Sequence, residues 1–305
     1  MFLNKKINVV CFGEVLFDVF GTEKKIGGAP LNLALRTASF GFPVAMISSV
    51  GNDEDGKVIC DYTKENKLDT SGILTTPDYE TGIVKVTLNE RGSATYEIKF
   101  PSAWDFIEAN EKTDSIVKNA DVFFYGSLIC RNEVSQKTLF TLLENNNKMF
   151  KVFDVNLRKP FYDIALLERL MNKADFIKFN DEEILEIASG LGFNSDDLEE
   201  NIHFISQKTQ TPSICVTLGK HGSIMIWEGK IYRHSGYPVE VSDTVGAGDS
   251  FLASLIVQLL SKNKPEEAMD FASAVGAIVA SKPGANPLIS STEIEQFLGT
   301  AFSGL

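Results

Sequence analysis

Val241-Ser-Asp-Thr-Val-Gly-Ala-Gly-Asp-Ser-Phe251 is the stretch of sequence from which the fold and chemistry of this chain can be inferred. Gly246 and Gly248 can adopt positive φ, which lets a ligand approach the main chain closely. From Phe251 to Leu260, apolar residues recur at helical spacing. The N–H groups and the positive dipole end of that predicted helix would face the glycines. The stretch therefore predicts a turn that binds an anion at the start of a helix.

Asp249 is the residue of this turn that needs an explanation, because a carboxylate repels a phosphate at short range. Two interpretations follow from the residues alone. In the first, Asp249 is an ordinary N-cap whose charge favours the helix dipole. In the second, Asp249 is a general base that takes a proton from a hydroxyl as the hydroxyl attacks the bound phosphate.

The composition argues against several classes of partner. The chain has 305 residues, of which 44% are hydrophobic, enough for the core of one large α/β domain. Its 29 basic and 41 acidic residues give a net charge of −12, which would repel nucleic acid and anionic membranes. Apolar runs stay short of the ~18 residues that span a bilayer. Lys5 and Lys6 precede an apolar run that Glu14 interrupts, so we expect a first strand of a cytoplasmic protein rather than a signal peptide.

From residue 115 onward, strand-like apolar runs alternate with helix-like runs. The strand-like runs lie at 122–128, 150–155, 176–179 and 213–218, and the helix-like runs lie at 134–143, 164–173 and 182–189. This alternation predicts a mainly parallel sheet that helices cover on both faces. Ligands of such sheets bind beyond the carboxyl ends of the strands. Polar clusters at 154–158, 180–183 and 217–222 fall at those ends.

A second glycine-led helix start lies at Lys25-Ile-Gly-Gly-Ala-Pro-Leu-Asn32. Its glycines serve either ligand contact or tight packing of a loop against a strand. The stretch Gly51–Lys57 nearly matches the phosphate-binding pattern GxxxxGK[ST]. Val58 stands where that pattern needs a hydroxyl to bind magnesium, so we reject this second phosphate site.

Apolar runs at 83–88 and 94–98 predict a β-hairpin that turns at Asn89–Gly92. Such a hairpin, following a strand and a helix, is typical of an insertion into a larger fold. Trp104 comes shortly after it, and either fills the core or stacks on a sugar; the core interpretation is favoured.

The polar clusters supply the parts that phosphoryl transfer needs, which are an anion site, a metal ion, a positioned hydroxyl and a base. Backbone N–H groups of Ala247, Gly248 and Asp249 would hold the γ-phosphate. Asn180 and Glu183 would organise Mg²⁺ through water molecules. A plainer alternative remains for this pair, because Asn180 in that position can simply cap the helix that carries Glu183.

Three further polar residues complete this hypothesis. Arg158 would offset the charge that develops on the phosphate, and Asp18 and Asn32 would grip sugar hydroxyls. Arg158 can equally pair with a surface carboxylate at little energetic consequence. The residues alone therefore indicate an α/β enzyme that binds a phosphorylated ligand.

Three motifs resemble the signatures of the PfkB, or ribokinase-like, family of carbohydrate kinases. They are Asp243–Phe251, Gly27–Asn32 and Val50–Gly56. The resemblance extends from Val9 to Pro287, and Phe153-Asp-Val-Asn-Leu-Arg158 is most similar to the bacterial fructokinase branch. It implies a three-layer α/β/α fold with a mainly parallel central sheet. It also implies one domain over residues 1–305, with a small β-sheet lid formed from about 14–26 and 81–106.

The resemblance assigns a role to each matching residue. The catalytic group is the base Asp249 with the anion hole Gly246, Ala247 and Gly248, and Arg158; the sugar contacts are Asp18, Gly28, Asn32 and Asp249. The ATP contacts are Asn180, Glu183, Thr217, Gly219, Gly222, Thr244, Gly246 and Gly248. Glu183 would hold Mg²⁺ through water, and Asp243, Val245, Ser281 and Gly284 would hold a monovalent cation such as K⁺.

The activity that the resemblance implies is ATP- and Mg²⁺-dependent phosphorylation of D-fructose at its 6-hydroxyl. Ribokinase, 2-keto-3-deoxygluconate kinase, nucleoside kinase and sugar-phosphate kinase are the alternatives within the family. The last needs extra cations, which the substrate region offers chiefly as Lys24, Lys25 and Arg36, while Lys99 and Arg131 keep it open. A sugar- or nucleotide-binding regulator without catalysis is the alternative from another class. The implied partners are the sugar and ATP, together with a second copy of the chain that pairs through the lid.

Overall fold

The computed structural model describes residues 7–88 and 94–299. They form two compact units, the first built from Ile7–Met149 and the second from the residues after it. The predicted turn at Asn89–Gly92, together with Lys5 and Lys6, lies outside the described residues. A single domain over residues 1–305 stays a prediction.

The first unit contains eight strands and four α-helices among the described residues. The strands are β1 (Val9–Phe12), β2 (Leu16–Phe20), β3 (Glu23–Gly27), β4 (Val44–Gly51), β5 (Asp69–Thr76), β6 (Gly82–Leu88), β7 (Ala94–Ile98) and β8 (Val122–Gly126). The helices are α1 (Ala29–Ser39), α2 (Glu54–Glu65), α3 (Glu111–Lys118) and α4 (Glu133–Asn145). Strands β8, β1, β4 and β5 lie side by side in that order, all parallel. All four residues of β1 are buried, as expected for a strand that is covered on both faces.

Strands β2, β3, β6 and β7 form a separate small sheet, which we call the lid sheet. Its order is β3-β2-β6-β7, with β2 and β6 parallel and the outer pairs antiparallel. The predicted β-hairpin is confirmed, since β6 pairs with β7 and places Val84 opposite Ile98. Apart from Gly27, the strands of the lid sheet fall within the two predicted lid segments.

The stretch that nearly matched a phosphate-binding loop is the capped start of α2. Asp53 is the N-cap and accepts a hydrogen bond of 2.7 Å from the Gly56 N–H. Its other oxygen accepts a bond of 2.9 Å from the Thr81 N–H, at the entry to β6. Both carboxylate oxygens of Asp53 therefore serve local structure. Trp104 has no exposed surface, which confirms that it fills the core.

The second unit contains five strands and six α-helices among its described residues. The strands are β9 (Phe150–Asp154), β10 (Phe176–Asn180), β11 (Ser213–Thr217), β12 (Ser223–Trp227) and β13 (Lys230–His234). The helices are α5 (Ile164–Met171), α6 (Asp181–Gly190), α7 (Leu198–Thr209), α8 (Ala247–Leu260), α9 (Pro265–Ala280) and α10 (Ser291–Leu298). Strands β9, β10 and β11 are parallel, and β12 and β13 continue from β11 as antiparallel strands. The fold class predicted from the sequence, a mainly parallel sheet with helices and a small additional sheet, is confirmed.

Helix α8 is buried along most of its length, with every residue from Ser250 to Leu259 buried. A helix that is buried on all sides belongs to the core. It begins at Ala247, four residues before the apolar run that predicted it. Helix α9 packs along it, and a Cβ at Gly276 would lie 3.4 Å from the Cβ of Phe251. Within 7–88 and 94–299, no helix is both long enough and apolar enough to cross a membrane.

Candidate active site

The turn at the start of α8 is the centre of the candidate site. Gly246 is the N-cap of α8 and has the left-handed conformation, with φ 77° and ψ −6°. A Cβ at this position would overlap the carbonyl oxygen of Ala285, so only glycine lets the turn lie this close to its neighbour. Asp249 lies in the first turn of α8 and is partly exposed. The interpretation of Asp249 as the N-cap is therefore wrong, because Gly246 holds that position.

The backbone of this turn forms the start of α8. The Ala247 N–H donates to the Thr244 carbonyl at 3.3 Å, and the first intrahelical bond runs from the Ser250 N–H to the Gly246 carbonyl at 2.8 Å. The first N–H groups of an α-helix generally have no acceptor in the helix's own ladder, although the Ala247 N–H here already donates to the Thr244 carbonyl. They stand at the positive end of the helix dipole, where an anion is stabilised. The anion hole of Gly246, Ala247 and Gly248 stays a prediction.

A buried ammonium group lies beside this turn. A Cβ placed on Gly248 would be 3.4 Å from Lys178 Nζ. Lys178 Nζ lies 3.2 Å from Asp154 Oδ1, and the two side chains are 9% and 3% exposed. Among the described atoms, Asp154 Oδ2 is buried without a hydrogen-bond partner. The turn therefore has a positive charge behind it in addition to its backbone dipoles.

Three carboxylates determine the charge state of Lys178. Burial lowers the pKa of its ammonium group, but the carboxylates of Asp154, Glu183 and Asp249 together outweigh burial and raise this pKa above its ordinary value. Lys178 is therefore positively charged at neutral pH. Because charges interact strongly when water is excluded, Lys178 couples electrostatically to the predicted base Asp249.

Lys178 and Asp154 were not recognised as a functional pair from the sequence. Asp154 begins a polar cluster that the sequence shows, and Lys178 interrupts the apolar run Phe176-Ile-Lys-Phe179. A charged residue inside a strand that is otherwise buried indicates a buried ionic partner. The sequence therefore indicates that Lys178 has an ionic partner. It does not identify that partner as Asp154, which lies 24 residues earlier in the chain.

Asn180 and Glu183 form a reciprocal capping box at the start of α6. The Glu183 N–H donates to Asn180 Oδ1 at 2.8 Å, and the Asn180 N–H donates to Glu183 Oε2 at 2.8 Å. Glu183 Oε1 also accepts a bond of 3.0 Å from the Leu157 N–H, which joins α6 to the segment after β9. The capping interpretation of Asn180 is confirmed, and Glu183 is held rigidly by backbone donors.

Arg158 lies in the segment that follows β9 and is exposed. Its Nη1 donates to the Leu157 carbonyl at 3.0 Å. The neighbouring Asn156 has a left-handed backbone conformation, with φ 38°, which bends the chain at this point. An exposed guanidinium can still bind a carboxylate or a phosphate, so the geometry leaves the predicted role of Arg158 open to a ligand.

Asp243 connects the segment before α8 with the loop after α9. Its Oδ1 accepts a bond of 3.0 Å from the Val245 N–H, and its Oδ2 accepts one of 3.1 Å from the Gly284 N–H. The N–H groups of Ser242 and Asp243 both donate to the Ala280 carbonyl, at 2.8 and 3.2 Å. These hydrogen bonds join two segments, one that carries Asp243 and Val245 and one that carries Ser281 and Gly284.

The predicted nucleotide contacts lie in a tight turn between β11 and β12. Thr217 ends β11, and its Oγ1 donates to the Phe179 carbonyl at 3.3 Å. The Leu218 N–H donates to the Gly222 carbonyl at 2.8 Å, which closes the turn. Gly219 and Gly222 have φ of 55° and 90°, conformations that glycine adopts without strain. We call residues 217–222 the nucleotide turn.

Three of the four predicted sugar contacts, Asp18, Gly28 and Asn32, lie in the first unit. Asp18 lies in β2, and a Cβ at Gly27 would overlap its Oδ2. Gly28 is the N-cap of α1, with φ 112°, and a Cβ there would be 2.5 Å from the Glu14 carbonyl oxygen. Asn32 is 4% exposed, and its N–H donates to the Gly28 carbonyl at 2.9 Å. All the other predicted site residues belong to the second unit.

The donor groups fit the ions that the resemblance implies. Within the two described ranges, no three His, Cys, Asp or Glu side chains form a group that could hold a metal ion directly. Each Glu183 oxygen keeps a lone pair after accepting one backbone N–H, which fits a carboxylate that orients water on Mg²⁺. A monovalent cation would instead use carbonyl oxygens, and Asp243 holds together the two segments that carry them.

This geometry agrees with the family comparison. The model of the pfkB family of carbohydrate kinases matches residues 3–292 of the chain. This chain belongs to the pfkB family. It is therefore a carbohydrate kinase, as the three motifs predict, and its relatives and structural neighbours are fructokinases and related sugar kinases.

Three similar proteins illustrate this. Fructokinase-1 of Oryza sativa subsp. japonica is 30% identical over 316 residues, which cover 94% of this chain and 95% of the relative. A fructokinase double mutant from Vibrio cholerae O395, with fructose, ADP and a potassium ion bound, has a TM-score of 0.84 and 25% identity, covering 96% of this chain and 98% of that one. An uncharacterized sugar kinase from Pyrococcus horikoshii in complex with ATP has a TM-score of 0.82 and 27% identity, covering 95% and 99%.

Proposed function

We propose that this carbohydrate kinase transfers the γ-phosphate of ATP to the 6-hydroxyl of D-fructose and releases ADP and fructose 6-phosphate. The observation that carries the proposal is the turn at Gly246–Asp249. It combines an anion site at a helix start, a partly exposed carboxylate and a buried ammonium group beside Gly248. Phosphoryl transfer uses all three elements. The carboxylate takes the proton of the attacking hydroxyl, and the N–H groups and the ammonium group offset the negative charge of the transferred phosphoryl group.

In this mechanism Asp249 is the general base. It takes the proton of the fructose 6-hydroxyl while the hydroxyl oxygen forms its bond to the γ-phosphorus. The bond from the γ-phosphorus to the oxygen that bridges to the β-phosphate breaks, and its electron pair leaves with ADP. The N–H groups of the turn hold the oxygens of the transferred phosphoryl group. Lys178 offsets the negative charge that Asp249 and the phosphates bring to this turn.

The cations of the substrate region support an uncharged sugar. Lys24 pairs with Asp55 at 2.6 Å. Arg131 pairs with Asp105, with Nε 2.6 Å from Oδ1 and Nη2 2.7 Å from Oδ2, and both side chains are almost completely buried. Each of these ion pairs already neutralises the cation that a sugar-phosphate kinase would use for its substrate's phosphate.

The other three candidate cations are engaged or buried in the same region. Lys99 pairs with Glu80, and Lys25 lies 3.6 Å from Glu23. Arg36 is 4% exposed, and burial lowers the pKa of its guanidinium to about 10. The buried Arg36 and the buried Arg131–Asp105 pair disfavour a sugar phosphate, whereas the pairs of Lys25 and Lys99 are solvent-exposed and weak. The buried groups also disfavour 2-keto-3-deoxygluconate, whose carboxylate would need a cation as well.

We propose fructose rather than another neutral sugar because similar proteins are named fructokinases. The rice relative is named a fructokinase, and the Vibrio cholerae fructokinase holds fructose, ADP and a potassium ion. The Pyrococcus horikoshii sugar kinase holds ATP. Ribokinase and 2-keto-3-deoxygluconate kinase are the alternatives within the family.

Two ions accompany the proposed reaction. Glu183 would orient water on a Mg²⁺ ion bound with ATP, and the ion would supply positive charge that offsets the charge of the phosphates. K⁺ would be held by main-chain oxygens of two segments that the Asp243 side chain joins. One segment carries Val245, and the other carries Ser281 and Gly284. A cytoplasmic location and a homodimer that pairs through the lid sheet remain predictions; light scattering at micromolar concentration tests the dimer.

The experiment that tests the proposal measures ADP release from MgATP with fructose, ribose, 2-keto-3-deoxygluconate, adenosine and fructose 6-phosphate in turn. We expect the highest kcat/KM with fructose. A higher kcat/KM with any of the other four would overturn the choice of substrate. The position of transfer is tested by coupling the product to phosphoglucose isomerase and glucose-6-phosphate dehydrogenase, which report fructose 6-phosphate but not fructose 1-phosphate.

A further inference from the structure

Three polar side chains meet in the second unit, outside the residues to which the mechanism gives a role. Asp270 lies in the middle of α9. His234 Nε2 is 3.1 Å from Asp270 Oδ1, and the Tyr237 hydroxyl donates to the same oxygen. The ring of Tyr237 packs edge-on against Phe297 of α10, with 5.0 Å between ring centroids. We call His234, Tyr237 and Asp270 the α9 cluster.

The protonation of His234 follows from its second nitrogen. The Gly236 N–H donates to His234 Nδ1 at 3.0 Å, so Nδ1 carries no proton. Nε2 therefore holds the ring proton and donates it to Asp270. Asp270 thus accepts two hydrogen bonds on one oxygen, from a neutral imidazole and from a phenol. Hydrogen bonds to an ionised carboxylate are stronger than those between neutral groups.

The backbone between His234 and Gly236 lies directly against the nucleotide turn. A Cβ at Gly222 would overlap the His234 carbonyl oxygen and would lie 2.5 Å from the Gly236 nitrogen. From the other side, a Cβ at Gly236 would be 2.9 Å from the Lys220 carbonyl oxygen. Two glycines therefore allow main chain to pack on main chain here. Residues 234–236 form the support on which the nucleotide turn rests.

Helix α9 also contacts the turn that starts α8. A Cβ at Gly276 would lie 3.5 Å from the Ala247 carbonyl oxygen. At the end of α9, the Ala280 carbonyl accepts hydrogen bonds from the Ser242 and Asp243 N–H groups, at 2.8 and 3.2 Å. One helix therefore holds the support of the nucleotide turn near its middle and the anion turn nearer its end.

We propose that Asp270 is a positioning residue for ATP, which ties residues 234–236 to α9 and so fixes the nucleotide turn at the distance from the anion turn that one nucleotide spans. This inference rests on the proposed function, because it needs residues 217–222 to bind the nucleotide. Asp270 acts through His234 and Tyr237 and does not touch the substrate. Loss of the tie lets the nucleotide turn shift while the α8 turn stays in place.

The experiment compares Asp270→Ala, Asp270→Asn and Tyr237→Phe with the wild type. We expect Asp270→Ala to raise KM for ATP and the Kd for ADP by about three- to tenfold, as for the loss of hydrogen bonds to a charged group. The kcat at saturating ATP and KM for fructose should change by less than about twofold. Asp270→Asn keeps an acceptor oxygen and should recover most of the affinity. Tyr237→Phe removes one donor and should show a smaller rise of the same kind.

Glu266→Ala is the matched control, because it removes an exposed carboxylate from the first turn of the same helix. We expect it to leave KM for ATP unchanged. Calorimetric titration with ADP measures the Kd, and the melting temperature of each variant shows whether it is folded. If Asp270→Ala does not fold, Tyr237→Phe and Asp270→Asn provide the comparison.

Unchanged KM for ATP in the folded variants, or a fall in kcat without a rise in KM for ATP, would overturn the inference. Equal effects of Asp270→Ala and Glu266→Ala would do the same, since they would reflect the loss of any charge from α9. Failure of the proposed function has a different result, because the wild type itself would then show no ATP-dependent phosphorylation of fructose.

Discussion

Lys178 and Asp154 are direct neighbours across two parallel strands, and their side chains form a buried ion pair of 3.2 Å beside the turn that carries Asp249. The pair belongs to the carboxyl ends of β9 and β10, where ligands of parallel sheets bind. Lys178 therefore lies in the sheet, whereas the turn beside it begins a helix.

Replacing Lys178 with methionine removes this charge and keeps a side chain of similar length. We expect kcat to fall by about 10²-fold, comparable to the loss of one group that stabilises charge in a transition state. The free energy of unfolding should fall by about 3 kcal/mol, because Asp154 is left buried without its partner. Steady-state kinetics and urea unfolding measure the two effects.

The double variant Lys178→Met/Asp154→Asn separates these two effects. It removes both charges, so we expect much of the lost stability to return. Turnover should stay low, because the positive charge beside the turn is still missing. If turnover returns together with stability, the effect of Lys178→Met is one of folding.

Asp249→Asn tests the proposed base. Asparagine has a similar shape but cannot accept the proton, so we expect kcat to fall at least ~10²-fold. The Kd for ADP, measured by calorimetric titration, should stay near the wild-type value. Asp163→Asn is a matched control, since Asp163 is the exposed N-cap of α5 and asparagine caps a helix equally well. Near-normal turnover of Asp249→Asn would show that another group takes the proton.

Gly246→Ala tests the close approach of the α8 turn to Ala285. The substitution places a Cβ in the left-handed conformation, which costs about 1–2 kcal/mol, and also overlaps the Ala285 carbonyl oxygen. Gly41→Ala is the control, because Gly41 has φ 84° and nothing within 4 Å of the new Cβ. We expect Gly41→Ala to cost stability alone and Gly246→Ala to lose ATP-dependent turnover as well. Equal activities of the two variants would contradict this role of Gly246.

Asp53 gives a pH-dependent contribution to stability. Burial raises the pKa of its carboxyl, but the hydrogen bonds from Thr81 and Gly56 and the charge of Lys24 together outweigh burial and lower that pKa. A carboxyl whose pKa is lower in the folded state stabilises the fold above its unfolded pKa, about 3.9. This stabilisation is lost as the pH falls through the folded pKa.

We therefore expect Asp53→Asn to melt below the wild type at pH 7 and the difference to shrink as the pH falls below about 4. Melting curves from pH 7 to pH 3 measure it. Thr81→Val removes the hydroxyl donor and should weaken the same pH dependence. A difference that stays constant over this range would show that the charge of Asp53 contributes nothing to stability.

Local sequence features predicted a large part of the site. The glycines and the apolar run after them predicted the turn before α8, and the spacing of Asn180 and Glu183 predicted their capping box. These features depend on residues that are close in the chain, so periodicity and capping preferences report them. The helix begins earlier than its apolar run, because its first turn carries the polar chemistry.

The parts that were missed depend on distant pairing. Strand β3, Glu23–Gly27, is mostly exposed and charged, so the residues themselves do not indicate a strand, and the lid segment 14–26 that contains most of it was predicted from the family resemblance alone. The α9 cluster brings together His234 and Asp270, which are 36 residues apart. Single-residue preferences carry no information about such partners. The residues alone leave Asp249 open between N-cap and base, because its position relative to the N-cap depends on where the helix begins.

The burial of α8 has a consequence for how this enzyme loses activity. Amide protons in a helix surrounded by core exchange with solvent only when the surrounding structure unfolds as a whole. The turn that carries Asp249 is continuous with this helix, so we expect heating to abolish turnover and core protection at the same temperature. The thermal stability of the predicted anion site is therefore expected to equal that of the second unit as a whole.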